Sequence, residues 1–135
     1  MFKQKHLIKF MDCDPAGILF FAKVFYFAHN TYEEFLNQYD LYEIVFNNPS
    51  LAFPIVKSNA QYYKPINKGD EIAIEQSIKN IGEHSYTTVY FFKNGDEKLA
   101  EVELVHVCVS KSDFKKTKLP ERLRKNITSS PDQLF

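Results

Sequence analysis

Two carboxylates, Asp12 and Asp14, flank Cys13 in the stretch Phe10-Met11-Asp12-Cys13-Asp14-Pro15-Ala16-Gly17-Ile18. Pro15 fixes its own φ and Gly17 tolerates positive φ, so the segment reads as a tight turn that holds Asp14 in one orientation. The turn separates a strand-like run from a long helical run. Backbone N–H groups at the start of a helix lack intrahelical partners and carry the positive end of the helix dipole. A carboxylate set beside such donors suits acyl transfer: one group attacks or activates water, the others hold the charge that develops on oxygen. An Asp at this place also serves as an Asx-turn acceptor or helix N-cap, and Asp12 reads first of all as a residue capping the turn.

Other reactive side chains are read mainly as structural. His29 falls in the middle of the helical run, where a histidine is usually a packed or surface residue. Glu33 and Glu34 read as a solvated helix face. Cys13 lacks a neighbouring cation to lower its thiol pKa, and Cys108 lies on an apolar strand face. The two cysteines have no metal-ligand spacing, and no metal site is expected.

The elements that must position Asp14 follow from periodicity. Gln4 to Met11 reads as a first strand. From about Phe20 to Gln38, Phe20, Val24, Phe27, Thr31 and Phe35 recur at helical spacing. Ala52 to Lys64 reads as an extended segment, and Ile72, Ile74 and Ile78 alternate with polar residues as in a half-buried strand. Ser85 to Lys93, the hairpin signal Asn94-Gly95 and Lys98 to Ser110 complete the set. The last run places Ala100, Val102, Leu104, His106 and Cys108 on one face. A strand, a long helix and four further strands give an α+β domain whose five-stranded antiparallel sheet wraps one long helix. One helix covers only one face of such a sheet, and the strands read as apolar in places on both.

The chain has 135 residues, 17 basic and 17 acidic, for a formal net charge of +0. That length suits one domain, drawn here at residues 1–125, followed by a flexible polar tail at 126–135. A balanced charge gives no global field for nucleic acid. No apolar run reaches the ~20 residues of a membrane span. Two cysteines without secretory features favour a reducing, cytoplasmic setting.

The motif F-x-D-C-D-P-A-G-I, the aromatic-rich run Phe20 to Leu36, and the segments Phe53-Pro54-Ile55-Val56, Gly69-Asp70-Glu71 and His106-Val107-Cys108-Val109 together resemble hotdog-fold acyl-CoA thioesterases. The likeness is to the 4-hydroxybenzoyl-CoA thioesterase and 1,4-dihydroxy-2-naphthoyl-CoA hydrolase type, over roughly residues 3–125. The resemblance implies a hotdog fold and hydrolysis of an acyl-CoA thioester. Asp14 then occupies the position of the catalytic carboxylate, as nucleophile or as general base. Asp12 and Gly17 support it. The oxyanion donor falls on the backbone N–H of Phe21, and aromatic residues of the helix and second strand line the acyl site. A relative associated with the Tol-Pal envelope system carries His where this chain has Phe21, which favours an aryl substrate over a short-chain aliphatic one. A non-catalytic hotdog protein that binds CoA or an acyl carrier is the rival reading.

The resemblance also implies a homodimer with active sites at the seam, with a dimer of dimers as a further step. No cofactor is implied, coenzyme A being part of the substrate. The turn Gly82-Glu83-His84-Ser85-Tyr86 aligns with one that meets the CoA nucleotide, which would engage His84, Ser85 and Tyr86. Glu83 stands where the family has a cation, so Lys115, Lys116 and Lys118 are the alternative phosphate contacts.

Overall fold

The computed structural model describes residues 2–129. Strand β1 (Phe2–Leu7) is followed by a single 3-10 turn (Phe10–Asp12), helix α1 (Lys23–Gln38) and a short helix α2 (Tyr42–Phe46). The remaining elements are β2 (Leu51–Ala52), β3 (Ile55–Tyr62), β4 (Glu71–Lys79), β5 (Ser85–Asn94), β6 (Glu97–Val107), β7 (Val109–Ser110) and α3 (Glu121–Ser129). Five strands form one antiparallel sheet in the order β1-β4-β5-β6-β3, and β2 pairs with β7 apart from it.

Helix α1 forms because Val24, Phe27, Ala28, Thr31, Tyr32, Phe35 and Leu36 make one continuous buried stripe. Its partner is the inward face of the sheet. Ile72, Ile74, Gln76 and Ile78 of β4 stand beside Tyr86, Thr88, Tyr90 and Phe92 of β5, which in turn register with Ala100, Val102, Leu104 and His106 of β6. All of these are buried. This is the α+β hotdog arrangement that the resemblance implies. The helix starts at Lys23 rather than near Phe20, since the Lys23 N–H closes a turn on the Phe20 carbonyl at 2.8 Å. It ends at Gln38, two residues before Asp40, whose φ of 58° leaves the helical region. The five residues of α2 are too few for a periodic signal.

Two expected strands are each divided. Ala52 to Lys64 breaks at Phe53-Pro54 into β2 and β3, and the last strand breaks at Cys108, whose N–H turns to the His84 carbonyl at 2.7 Å. The outward face is more polar than expected: Lys79 pairs with Glu103 at 2.5 Å, Lys93 with Glu75 at 3.0 Å and Lys98 with Glu101 at 3.0 Å. Strand β3 is an edge, with seven of its eight residues exposed. Residues 126–129, expected in the flexible tail, belong instead to α3, which runs to Ser129 and anchors itself through fully buried Leu123 and Ile127. Residues 130–135 lie outside the described residues.

Candidate active site

Asp12 and Asp14 are in one turn but perform different local tasks. Asp12 is 8% exposed; its Oδ2 accepts the Lys9 N–H at 2.9 Å, and its Oδ1 lies 3.6 Å from Lys23 Nζ. Its carbonyl accepts the Phe20 N–H at 2.9 Å. Asp12 therefore closes the 3-10 turn and ties it to the residues that lead into α1.

Asp14 opens the next turn. Its carbonyl accepts the Gly17 N–H at 2.9 Å, its N–H donates to the Ile18 carbonyl at 2.9 Å, and its Oδ1 accepts the Ala16 N–H at 2.9 Å. Gly17 is needed for its φ of 82°, not for space: a Cβ added there would meet nothing within 4 Å. One carboxylate oxygen of Asp14 is thus held by the backbone, while Oδ2 has no hydrogen-bond partner among the described residues. The Leu19 N–H donates to the Ile66 carbonyl at 2.7 Å, which fastens the turn to the segment after β3.

Asp14 borders a cleft of about 450 Å³ whose walls include Phe20, Phe21, Tyr62, Tyr63 and Ile66. Phe21 lies in the turn before α1, and its N–H finds no acceptor within the described chain. Phe25 donates to the Ala22 carbonyl at 3.2 Å, so the Phe21 carbonyl is left out of the helix ladder and accepts the Tyr62 hydroxyl at 2.6 Å. The cleft thus combines a half-free carboxylate, an unpaired backbone donor and an aromatic wall. That combination can hold a planar acyl group and stabilise charge on its oxygen.

The aromatic lining differs in part from expectation. Phe20 and Phe21 precede α1, whereas Phe27, Tyr32 and Phe35 of the helix are core residues. Tyr62 and Tyr63 supply the wall on the β3 side. The pair Tyr-Tyr next to Lys64-Pro65 was the signal available in the sequence: two large aromatics at the exposed end of an extended segment.

The proposed nucleotide contacts collect elsewhere. Lys68 donates its N–H to the Gly17 carbonyl at 3.1 Å and Ile8 donates to the Asp70 carbonyl at 2.9 Å, so the Asp14 turn sits near the start of β4. The Gly82–Ser85 turn follows the other end of that strand, on the order of 30 Å away for nine extended residues. A single chain does not bring the two together. Around that turn, Arg124 donates to the carbonyls of Gly82 and Glu83, Leu119 donates its N–H to the Glu83 carbonyl at 3.0 Å, and Lys118 Nζ lies 3.9 Å from the Glu83 carboxylate. The 82–85 turn and the basic segment are therefore neighbours. Arg124 is the cation bound most closely to the turn.

Tyr86 is a correction. It is 1% exposed, its hydroxyl meets that of Tyr32, and its ring stacks on His106 at 4.8 Å. Its register on β5, opposite His106, turns it into the core. Ser85 is half-buried and its carbonyl accepts the Gly82 N–H at 2.8 Å. His84 is partly exposed, with Nε2 4.0 Å from Glu83 and a buried Nδ1 that has no hydrogen-bond partner among the described residues. Lys115 and Lys116 are exposed in the loop between β7 and α3.

The remaining reactive side chains stay outside the cleft. His29 packs on the rings of Tyr32 and Phe46, Glu34 is exposed and Glu33 half-exposed on α1, and the Cys13 thiol donates to the Lys9 carbonyl at 3.4 Å. Cys108 is buried. Among the described residues no three His, Cys, Asp or Glu side chains are grouped to hold a metal ion, and no helix is long and apolar enough to cross a membrane.

Comparison with known proteins gives concordant matches. Residues 8–127 match the Thioesterase-like superfamily. The chain is 31% identical over 123 residues to a 1,4-dihydroxy-2-naphthoyl-CoA hydrolase of Nostoc punctiforme, covering 90% of this chain and 83% of that protein. It is 30% identical over 132 residues to the enzyme of the same name from Trichodesmium erythraeum, covering 95% and 96%. Among solved structures, Slr0204, a 1,4-dihydroxy-2-naphthoyl-CoA thioesterase from Synechocystis, superposes with a TM-score of 0.88 at 23% identity over 95% of this chain and 96% of that one.

Proposed function

Because the chain belongs to the Thioesterase-like superfamily, we propose that it hydrolyses an aryl-CoA thioester with an acyl group of the hydroxybenzoyl or dihydroxynaphthoyl kind. The observation that carries this reading is the meeting of Asp14 and the unpaired Phe21 N–H in one aromatic-walled cleft.

The acyl ring lies between Phe20, Tyr62 and Tyr63, and the thioester carbonyl points at the Phe21 N–H. Asp14 Oδ2 then acts in one of two ways. It attacks the carbonyl carbon, expels the CoA thiolate and forms a mixed anhydride that water cleaves, or it takes a proton from a water that attacks directly. Both routes give a free carboxylic acid and CoA thiol, and both put negative charge on the carbonyl oxygen. A fixed N–H in a cleft partly shielded from water stabilises that charge without reorganising. Asp12 and Gly17 act by shaping the turn. The reaction draws on no metal or redox cofactor.

Exposed β3 pairs with its counterpart in a second copy, closing the open side of the cleft. Lys118, Arg124 and His84 then meet CoA phosphates from the far end of the sheet of a neighbouring copy, with Lys115 and Lys116 adding charge nearby. A dimer, or two dimers together, is the working form.

The test is release of CoA thiol across a panel of aryl and aliphatic CoA esters. Hydroxylated aryl esters are expected to give kcat/KM at least tenfold above acetyl-CoA and butyryl-CoA. A preference for short aliphatic esters would assign the cleft to that class instead, and tight CoA binding without turnover of any ester would make the protein a binding module.

A further inference from the structure

We propose that Tyr62 is a positioning residue that orients the oxyanion donor, an inference that rests on the thioesterase reading given above. The turn before α1 has two central residues, Phe21 and Ala22, and hence exposed peptide units that neither helix nor sheet holds. The peptide containing the Phe21 N–H is fixed on its carbonyl side, because the Phe20 carbonyl accepts the Lys23 N–H at 2.8 Å. The following peptide has no such internal partner. Phe25, which would reach the Phe21 carbonyl in a regular helix, donates instead to Ala22 at 3.2 Å. Ala22 is a helix N-cap without a side-chain acceptor. The only hydrogen bond to the Phe21 carbonyl among the described residues comes from Tyr62, at 2.6 Å.

Phe21 is therefore held from both sides, by Lys23 through the preceding peptide and by Tyr62 through the following one. The orientation of its N–H, which has no acceptor among the described residues, depends on both. Tyr62 reaches this place because it closes β3 on the inward register, opposite Ala100 of β6. Its ring is half exposed and lines the same cleft as Asp14 and Phe21. Ring and hydroxyl thus have separable roles: the ring contacts the acyl group, and the hydroxyl fixes the backbone.

Tyr62→Phe separates them, keeping the ring and deleting only the bond to Phe21. The expected result is a fall in kcat for an aryl-CoA ester of roughly tenfold, the scale of loosening one donor to a developing oxyanion. KM, the Kd for a non-hydrolysable aryl-CoA thioether, and the melting temperature should stay close to those of the unaltered chain. Tyr62→Leu, which also removes the ring, should raise KM as well. Wild-type kcat in Tyr62→Phe overturns the proposal. So does a parallel rise in KM and thioether Kd with unchanged kcat, which would make the hydroxyl a substrate contact, or a kcat loss matched by loss of folded protein. Asp14→Asn, assayed beside it, distinguishes the two levels: an inactive Asp14→Asn with a fully active Tyr62→Phe removes only the positioning role, whereas absence of thioesterase activity in the unaltered chain removes both.

Discussion

The carbonyl of Asp12 accepts the N–H of Phe20 at 2.9 Å, so the residue that closes the first turn also sets the start of the segment bearing the proposed oxyanion donor. Its side chain is occupied at the same time, taking the Lys9 N–H at 2.9 Å in a site only 8% exposed. Asp12→Ala leaves that N–H without its acceptor. A loss of about 1–2 kcal/mol in unfolding free energy is expected, as for other lost caps and buried backbone partners. Urea denaturation measures it. Retention of full stability would mean that the turn is held by its backbone bonds alone.

Asp14 should behave in the opposite way. Asp14→Asn keeps an oxygen for the Ala16 N–H and so keeps the turn, but an amide is a much poorer nucleophile and base than a carboxylate. We expect kcat to fall at least about 10²-fold, equivalent to about 2.7 kcal/mol of transition-state stabilisation, with an unfolding midpoint near that of the wild type. Wild-type turnover in this variant would reduce Asp14 to a turn residue.

The core beneath α1 predicts an acid sensitivity. His106 is 1% exposed, stacked between Tyr32 at 4.5 Å and Tyr86 at 4.8 Å, with Nε2 2.8 Å from the Thr88 hydroxyl. Burial, with a smaller contribution from the charge of His29, lowers its pKa to about 3. The folded state therefore keeps His106 neutral while the unfolded chain takes up a proton below pH 6.5. The stabilisation is complete above that value and is lost as pH falls from 6.5 towards 3. Between pH 7 and pH 5 the chain should lose roughly 2 kcal/mol through this group. His6, lowered chiefly by burial and partly offset by Asp12, adds in the same direction. Comparing the pH dependence of unfolding in wild type and His106→Asn isolates the His106 part; equal slopes would count against it.

What could be read from the chain alone divides along local and non-local lines. Pro15, Gly17 and the two carboxylates specify the Asp14 turn within a few residues, and the stripe from Val24 to Leu36 specifies α1, so both were legible. The breaks at Pro54 and Cys108 depend on pairings with segments distant in sequence, Leu51 with Ser110 and Cys108 with His84, and no periodicity encodes them. Tyr86 was misread for a related reason. It stands second in a strand beside a polar turn, and only its register opposite His106 turns it inward. Tyr62 likewise gives no sign in the sequence that its hydroxyl will meet the Phe21 carbonyl.

Strand β3 yields the last prediction. It pairs with β6 on one side only, and Ile55, Val56, Tyr62 and Tyr63 are 40%, 60%, 51% and 51% exposed along it and just beyond. An exposed edge of eight residues with a single charge invites pairing with another strand, and an edge left open in solution is normally blunted by charge, Pro or a cover. Lys57 is the one charge within β3, while the polar outward face is already satisfied by ion pairs on β4, β5 and β6. A two-fold partner adding its own β3 would give the edge its missing hydrogen bonds and place the exposed Tyr62 and Tyr63 beside a second chain. Val56→Asp puts a charge where that seam would form. The wild type is expected to scatter light as a dimer or larger at micromolar concentration, and Val56→Asp to shift towards monomer and lose most of its turnover in the same range. A wild-type monomer with full activity would show that one chain builds the whole site and that β3 needs no partner.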